Sequence, residues 1–195
     1  MGIAELFSFK GGVKPASHKT ESADCAIRPA PLPARLIVPL RQSAGSAAHC
    51  LVAPGQKVLK GQMIGAADGA VSSATHAPTS GTVAAVGPAA IPHPSGLDAP
   101  CVIIDSDGEE RWIERAPLDW RSTDAEALRA CLRDAGIVGL GGATFPSHIK
   151  LKPGDAGEFR GRISTLVINA AECEPWITCA DRVMRERAEG IVRGA

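Results

Sequence analysis

A glycine-rich segment in the second half of the chain carries residue types that could bind a phosphate group. It reads Gly139-Leu-Gly-Gly-Ala-Thr-Phe-Pro-Ser-His-Ile-Lys150. Gly139, Gly141 and Gly142 let the backbone approach a ligand without collision at Cβ, and successive N–H groups in such a loop can bind phosphate oxygens. Lys150 adds a mobile cation, and Phe145 offers a flat apolar face to an aromatic ring. Because the pattern is neither a Walker A nor a G-x-G-x-x-G sequence, a tight turn without a ligand is the alternative.

A second polar cluster, Asn169-Ala-Ala-Glu-Cys-Glu-Pro175, directly follows a predicted buried strand at residues 165–169. Ligands of α/β proteins usually bind at the carboxyl ends of strands. The amide of Asn169 can donate to and accept from a heterocycle edge, and Glu172 and Glu174 can accept hydrogen bonds from ribose hydroxyl groups. The alternative is that these carboxylates cap the following helix. Cys173 is interpreted as a packed thiol, because no local histidine could activate it.

Both clusters lie in residues 122–195, which we predict to be the start of an α/β domain that binds a flavin or nucleotide. Thr123 and Glu126 have the spacing of a capping box for a helix that ends at Gly136. A second helix is predicted to begin near Thr178. Two helices and one strand cannot close an α/β core, so we expect this domain to be truncated.

The first half of the chain predicts different structure. Residues 1–35 are expected to be an extended, proline-rich lead-in without regular helix, since prolines recur at 15, 29, 31 and 33. Residues 36–115 contain short apolar runs separated by glycine turns, which indicate a small antiparallel β-sandwich or barrel. The runs are at 36–40, 50–53, 58–59, 63–64, 83–86 and 101–104.

The β-rich segment resembles the biotinyl/lipoyl-type hammerhead domain, because glycine and proline turns bracket its short strands. Such carrier domains present a lysine at the tip of a hairpin for attachment of the prosthetic group. The corresponding residues here, 69–73, include no lysine. A structural role for this domain is therefore favoured over a carrier function.

The composition gives no indication of a nucleic acid partner, a membrane span or a cysteine metal site. Lys plus Arg and Asp plus Glu both number 21, and only 4% of residues are aromatic, so neither the net charge nor base-stacking residues indicate a nucleic acid partner. No apolar run approaches the ~18 residues of a membrane span. The cysteines at 25, 50, 101, 131, 173 and 179 form no C-x-x-C pair, which favours reduced thiols and predicts no metal ligand.

The two polar clusters together resemble a known family. Gly-x-Gly-Gly-Ala-x-Phe-Pro followed by Asn-x-x-Glu-x-Glu-Pro is similar to the flavin- and nicotinamide-binding segments of the complex I flavoprotein subunit family. Shorter matches, in order from about residue 7 to residue 188, resemble the C-subunit family of the Rnf/Rsx ion-translocating oxidoreductase complexes. They include Phe9-Lys-Gly-Gly-Val-Lys-Pro15, His18-Lys19, Val38-Pro-Leu-Arg-Gln42, His76-Ala-Pro-Thr-Ser-Gly81 and Pro92-His-Pro-Ser-Gly96.

The resemblance implies a peripheral subunit on the cytoplasmic side of the bacterial inner membrane, attached to the membrane only through other subunits of the Rnf/Rsx complex. Such a subunit passes electrons between NADH and iron–sulfur carriers through FMN. The resemblance implies no catalytic residue in this chain but a set of FMN- and NADH-binding residues, namely Gly139, Gly141, Gly142, Phe145, Lys150, Asn169, Glu172 and Glu174. The two [4Fe–4S] clusters of the family depend on cysteine motifs that are not in this sequence.

Two positions depart from the related complex I pattern. Leu140 stands where an arginine is usual, and Ala171 stands where an acidic residue is usual. Loss of a cation and an anion could change flavin retention or nucleotide affinity. A non-catalytic scaffold with a decayed flavin site is therefore the alternative function.

Overall fold

A computed structural model describes residues 12–13, 15–151 and 165–195. The described residues divide into two compact units. One comprises the described parts of Met1–Pro29 and Arg162–Ala195, and the other those of Ala30–Gly161. In chain order the elements are α1 (Thr20–Ala23), β1 (Arg35–Pro39), β2 (His49–Cys50), β3 (Lys57–Val58), β4 (Met63–Ala66), β5 (Thr75–His76), β6 (Gly81–Ala90), β7 (Asp98–Ser106), α2 (Ala125–Asp134), α3 (Ser147–Lys150), α4 (Cys179–Glu186) and α5 (Ala188–Gly194).

The unit within Ala30–Gly161, which we call the β unit, contains two antiparallel sheets, with strand orders β1-β7-β6-β3 and β2-β4-β5. The hairpin of β6 and β7 is the longest pairing in the described chain and runs from the Gly81–Ser106 pair to the Ala90–Asp98 pair. Each of the six apolar runs overlaps one of these strands. The predicted antiparallel β domain at the N-terminal side is therefore confirmed.

The hydrophobic core of this unit is aliphatic and draws on both sheets. Ile64 of β4 is completely buried, as are Val102 and Ile104 of β7. They pack with Val58 and Val83, among others, in one cluster. Because inward-facing side chains alternate with outward-facing ones along a strand, short runs of Val and Ile are enough to fill the space between two sheets.

The first helix after the β domain, α2, begins one residue later than the sequence predicts. Asp124, not Thr123, is the N-cap, and its carboxylate accepts hydrogen bonds from the backbone N–H groups of Glu126 and Ala127, both at 2.9 Å. The hydroxyl of Thr123 donates instead to the carbonyl of Asp119 at 2.8 Å. The predicted capping box is therefore wrong. The predicted end is confirmed, because Gly136 follows the helix with φ of +72°, a conformation that glycine adopts without strain.

Helix α2 lies against the connection between β4 and β5. The guanidinium group of Arg133 donates to the carbonyls of Ala67 at 3.2 Å and Gly69 at 2.9 Å, and the N–H of Ala74 donates to the carbonyl of Arg133. This connection contains the positions where a hammerhead carrier would hold its lysine. In this chain the connection is instead a packing surface for α2.

The lead-in is not entirely extended, so the expectation of no helix there is wrong at one place. Helix α1 is a single turn in which the N–H of Ala23 donates to the carbonyl of Lys19 at 2.8 Å. No proline occurs between Pro15 and Pro29. The backbone restriction that proline imposes is therefore absent over this stretch.

The predicted strand at residues 165–169 is not formed in the structure. These residues have no regular secondary structure, and the side chain of Val167 is 81% exposed. No strand in the described ranges pairs with them, and a strand needs a neighbour to bond its N–H and C=O groups.

The last predicted helix is divided into two. Helix α4 ends at Glu186 and α5 starts at Ala188, because Arg187 between them has φ of −132°, outside the helical region. Thr178 and Asp181 have the spacing of a capping box, but Thr178 makes no side-chain cap, and Asp181 forms an ion pair with Arg185 at 2.9 Å. None of the helices in the described residues has the length and apolar character needed to cross a bilayer.

Candidate functional site

The glycine-rich segment forms a closed loop between α2 and α3. The N–H of Gly139 donates to the carbonyl of Phe145 at 2.9 Å, and the N–H of Ser147 donates to the carbonyl of Ile137 at 3.0 Å. Pro146, at the end of the loop, is among the fully buried side chains. Backbone hydrogen bonds and a buried proline therefore close the base of the loop.

The apex of this glycine loop, which we define as residues 139–146, is open. A Cβ built on Gly141 or Gly142 meets no atom within 4 Å, and Gly142 has φ of +114°. Thr144 also has a positive φ of +45°, and its carbonyl accepts a hydrogen bond from Ala44 of the β unit at 3.2 Å. The apex therefore exposes backbone that a ligand can approach closely, as a phosphate cradle requires.

Lys150 provides a positive charge at the base of the glycine loop. Its Nζ occupies the space where a Cβ of Gly139 would stand. Phe145 is half-buried in the same loop, while Leu140 is 86% exposed. The structure thus places the five predicted residues of the first cluster in and beside one loop, with the apolar side chain of Leu140 exposed at its apex.

One histidine beside the glycine loop has an unusual environment. Burial lowers the pKa of His148 in α3, and the nearby charge of Arg133 lowers it further. Its Nδ1 is buried and has no hydrogen-bond partner within the described residues. His148 is therefore neutral at physiological pH, and Lys150 is the cation of α3.

The second predicted cluster lies in the other compact unit, with residues 165–195. Asn169 is exposed, and its side-chain oxygen accepts a hydrogen bond from the N–H of Ala171 at 3.0 Å. The carboxylate of Glu174 is exposed and accepts no hydrogen bond from the described residues. Both side chains are placed at a surface that a ligand could reach.

Glu172 has a structural role, because its carboxylate caps the N-terminus of α4. It accepts hydrogen bonds from the N–H of Ala180 at 2.8 Å and of Asp181 at 3.3 Å. These bonds, led by the one from Ala180, lower the pKa of Glu172 below its ordinary value. The adjacent Thr178 makes no side-chain cap, so Glu172 supplies the acceptor that the N-terminus of the helix needs.

The lead-in contributes side chains to this second cluster, which sequence reasoning missed. The ammonium group of Lys19 donates to the carbonyls of Glu172 and Ile177, each at 2.8 Å. The ring of His18 stacks on Trp176 with centroids 4.6 Å apart and planes 5° from parallel. The motif His18-Lys19 was an available signal, but no local pattern connects it to residues about 155 positions later.

Comparison with known proteins is consistent with this arrangement. Residues 7–109 match the family model of the RnfC barrel sandwich hybrid domain, and residues 132–195 match that of the Nuo51 FMN-binding domain. The β-rich part of the chain is therefore a barrel sandwich hybrid domain, and the segment that follows it is similar to FMN-binding domains of the Nuo51 type. The chain belongs to the RnfC family.

Curated relatives of the chain share one description, the C subunit of an ion-translocating oxidoreductase complex. The protein of Serratia proteamaculans is 46% identical over 97% of this chain, and that of Rhodobacter capsulatus is also 46% identical over 97%. The protein of Pseudomonas aeruginosa is 49% identical over 98% of the chain. The chain spans 26%, 36% and 24% of the lengths of these three relatives, respectively.

Proposed function

We propose that this protein is an electron-transfer subunit of an ion-translocating redox complex and that FMN binds at the glycine loop. The observation that carries the proposal is the open backbone of Gly141 and Gly142 at the apex of a loop whose base, at Gly139, holds the ammonium group of Lys150. The name of the curated relatives and the match to an FMN-binding domain support it. Under this proposal residues 122–195 form part of an α/β flavin domain that follows the lead-in, 1–35, and the β-rich segment, 36–115.

The residues of the glycine loop fit FMN. Backbone N–H groups at Gly141 and Gly142 would bind phosphate oxygens, since neither position carries a side chain that could interfere. Lys150 would neutralise phosphate charge, and Phe145 would contact the isoalloxazine ring. FMN, when bound, accepts a hydride as a two-electron unit and releases electrons one at a time, so it can connect a hydride donor with iron–sulfur carriers.

NADH is the proposed hydride donor, bound by the second cluster. Asn169 offers both donor and acceptor groups, and Glu174 offers a carboxylate that no described residue occupies. Glu172 is already committed to the N-terminus of α4. We therefore assign it the task of fixing the loop, while Glu174 accepts hydrogen bonds from the nucleotide.

The proposed setting is the cytoplasmic side of the bacterial inner membrane. The subunit would be peripheral and would be held there by other subunits of the Rnf/Rsx complex. The two [4Fe–4S] clusters that receive the electrons would be outside this sequence, because its six cysteines lack the ligand spacing of such clusters.

The test is to express the complete gene and reconstitute the protein anaerobically with FMN, iron and sulfide. Visible spectra recorded before and after addition of NADH then report on the flavin. Bleaching of the flavin bands by NADH is the expected result. Bound flavin that stays oxidised with NADH would contradict the choice of donor but leave the flavin site standing.

The second candidate is a non-catalytic assembly subunit whose flavin site has decayed. The exposed, apolar Leu140 at the apex of the glycine loop favours it, since a cation there would attract a phosphate. Absence of any bound flavin after reconstitution would establish this candidate and overturn the first.

A further inference from the structure

Trp176 has an exposed aromatic ring, and another ring covers one of its two faces. His18 covers that face in a near-parallel stack at 4.6 Å, yet Trp176 remains 55% exposed. An exposed indole beside the polar cluster leaves apolar surface in water, where it gains nothing for folding. Trp176 follows the proposed nucleotide ligand Glu174 by two residues.

Both partners of the stack have a backbone conformation that is uncommon for their residue types. His18 has φ of +48° and Trp176 has φ of +70°, both in the left-handed region. Conformations of this kind are strained for residues other than glycine, and they concentrate at ligand sites. Their occurrence on the two residues of one stack indicates that the orientation of the rings matters.

Hydrogen bonds from the lead-in hold the backbone on both sides of Trp176. The N–H of Trp176 donates to the carbonyl of Ser17 at 2.9 Å, and its carbonyl accepts from the hydroxyl of Ser22 at 2.6 Å. Lys19 bonds the carbonyl of the next residue, Ile177, and that of Glu172. The indole is thereby oriented before any ligand arrives.

The other exposed tryptophans of the described chain are different. The ring of Trp112 is covered by the guanidinium group of Arg115 at 4.3 Å, and that of Trp120 by Arg121 at 4.3 Å. Flexible, charged side chains cover those rings. In contrast, the cover on Trp176 is a planar ring, and hydrogen bonds with two residues of the lead-in, Ser17 and Ser22, hold its backbone.

We propose that Trp176, held against His18, is a stacking surface for an aromatic ring of NADH, and that Lys19 is the positioning residue that keeps it in place. This inference rests on the proposed function, which supplies NADH as the ligand. Every base and the nicotinamide ring have a π face, and stacking on an aromatic side chain needs no hydrogen bond from the ring. The carboxylate of Glu174 is two residues away to accept hydroxyl hydrogens from the same ligand.

The test compares NADH and FMN affinities of the reconstituted, full-length protein with those of single variants. Trp176→Leu should lower the affinity for NADH by on the order of five- to a hundredfold, because stacking of an aromatic ring is lost. The affinity for FMN should be unchanged. Trp176→Phe should retain most of the NADH affinity. The matched control is Trp120→Leu, which removes another exposed tryptophan from the other unit and should change neither affinity.

Lys19 is tested by the separation of KM from kcat in NADH oxidation with an artificial acceptor. Lys19→Met should raise KM for NADH with little change in kcat or in FMN content, and Lys19→Arg should restore part of the loss. A merely structural lysine would lower FMN content and kcat together. Competition by AMP or by nicotinamide mononucleotide in Trp176→Leu then identifies which ring stacks.

The outcomes separate this inference from the function on which it rests. Absence of NADH binding by the unaltered protein would overturn the proposed donor and, with it, the stacking surface. Normal NADH binding by both Trp176→Leu and Lys19→Met, in proteins that retain FMN, would overturn the stacking surface alone.

Discussion

Two adjacent glycines at the apex of the glycine loop allow its ligand role to be separated from its role in the fold. Gly142 has φ of +114°, whereas Gly141 lies outside the left-handed region, and a Cβ at either position meets no atom within 4 Å. Gly142→Val therefore introduces backbone strain and a side chain together. Gly141→Ala introduces only a methyl group in open space.

The two changes have different expected magnitudes. At Gly142 a β-branched residue with strongly positive φ costs about 1–3 kcal/mol of folding free energy, which lowers Tm by about 2–4 °C per kcal/mol in a chain of this size. At Gly141 alanine has little effect on stability or adds about 0.4–1 kcal/mol, because it restricts the unfolded chain. If a phosphate or ring lies against this backbone, an extra methyl group costs about 1–3 kcal/mol of binding, or roughly five- to 150-fold in Kd for FMN.

The assay is FMN titration followed by flavin fluorescence, with thermal unfolding of each apoprotein in parallel. We expect Gly141→Ala to lose FMN affinity at unchanged or slightly raised Tm, and Gly142→Val to lose both. If Gly141→Ala bound FMN as tightly as the unaltered protein, no ligand would approach this backbone. The glycine loop would then be a tight turn and no more.

Three further predictions concern the core, a surface network and the second cluster. Ile64→Ala in the completely buried core should lower the free energy of unfolding by about 2–5 kcal/mol in urea titration, and a loss below about 1 kcal/mol would contradict the assigned core. The pKa of Asp107 is lowered from 3.8 to about 2, chiefly by its bond from Arg111, so its stabilisation is present above pH 3.8 and is lost as the pH falls through about 2. Asp107→Asn should reduce the difference in Tm between pH 5 and pH 2, and an unchanged difference would refute this. Glu174→Gln should lower the affinity for NADH more than the affinity for FMN in parallel titrations. Equal losses of the two affinities would indicate that the carboxylate has a structural role.

The strands of the β unit were largely predictable because local pattern determines them. Runs such as 36–40 and 101–104 combine β-branched residues with flanking turns, and both became paired strands. Strand β5 was missed because Thr75 and His76 are not apolar. Only 3% of Thr75 is nevertheless exposed, and this burial follows from the packing of the fold, which the local sequence does not indicate.

Helix ends and the second cluster show where sequence reasoning fails. Thr123 and Asp124 are both residue types that favour the N-cap position. In the structure the hydroxyl of Thr123 donates to the backbone carbonyl of Asp119, and Asp124 is the N-cap. The role of Glu172 as a cap was one of two alternatives that the sequence left open. The bonds from Lys19 could not be predicted, because no periodicity or spacing connects positions 153 residues apart.

The long separation of Lys19 from its partners also governs the order of events during synthesis. Its bond to Glu172 spans 153 positions, so at roughly 5–20 residues per second the lead-in waits about 8–30 s on the ribosome for the segment it binds. The β unit has all its strands by Ser106 and can close during that delay. The β unit can therefore fold before Lys19 meets Glu172, and a chain released before Glu172 is synthesised would contain every strand of the β unit but would lack the partners of Lys19.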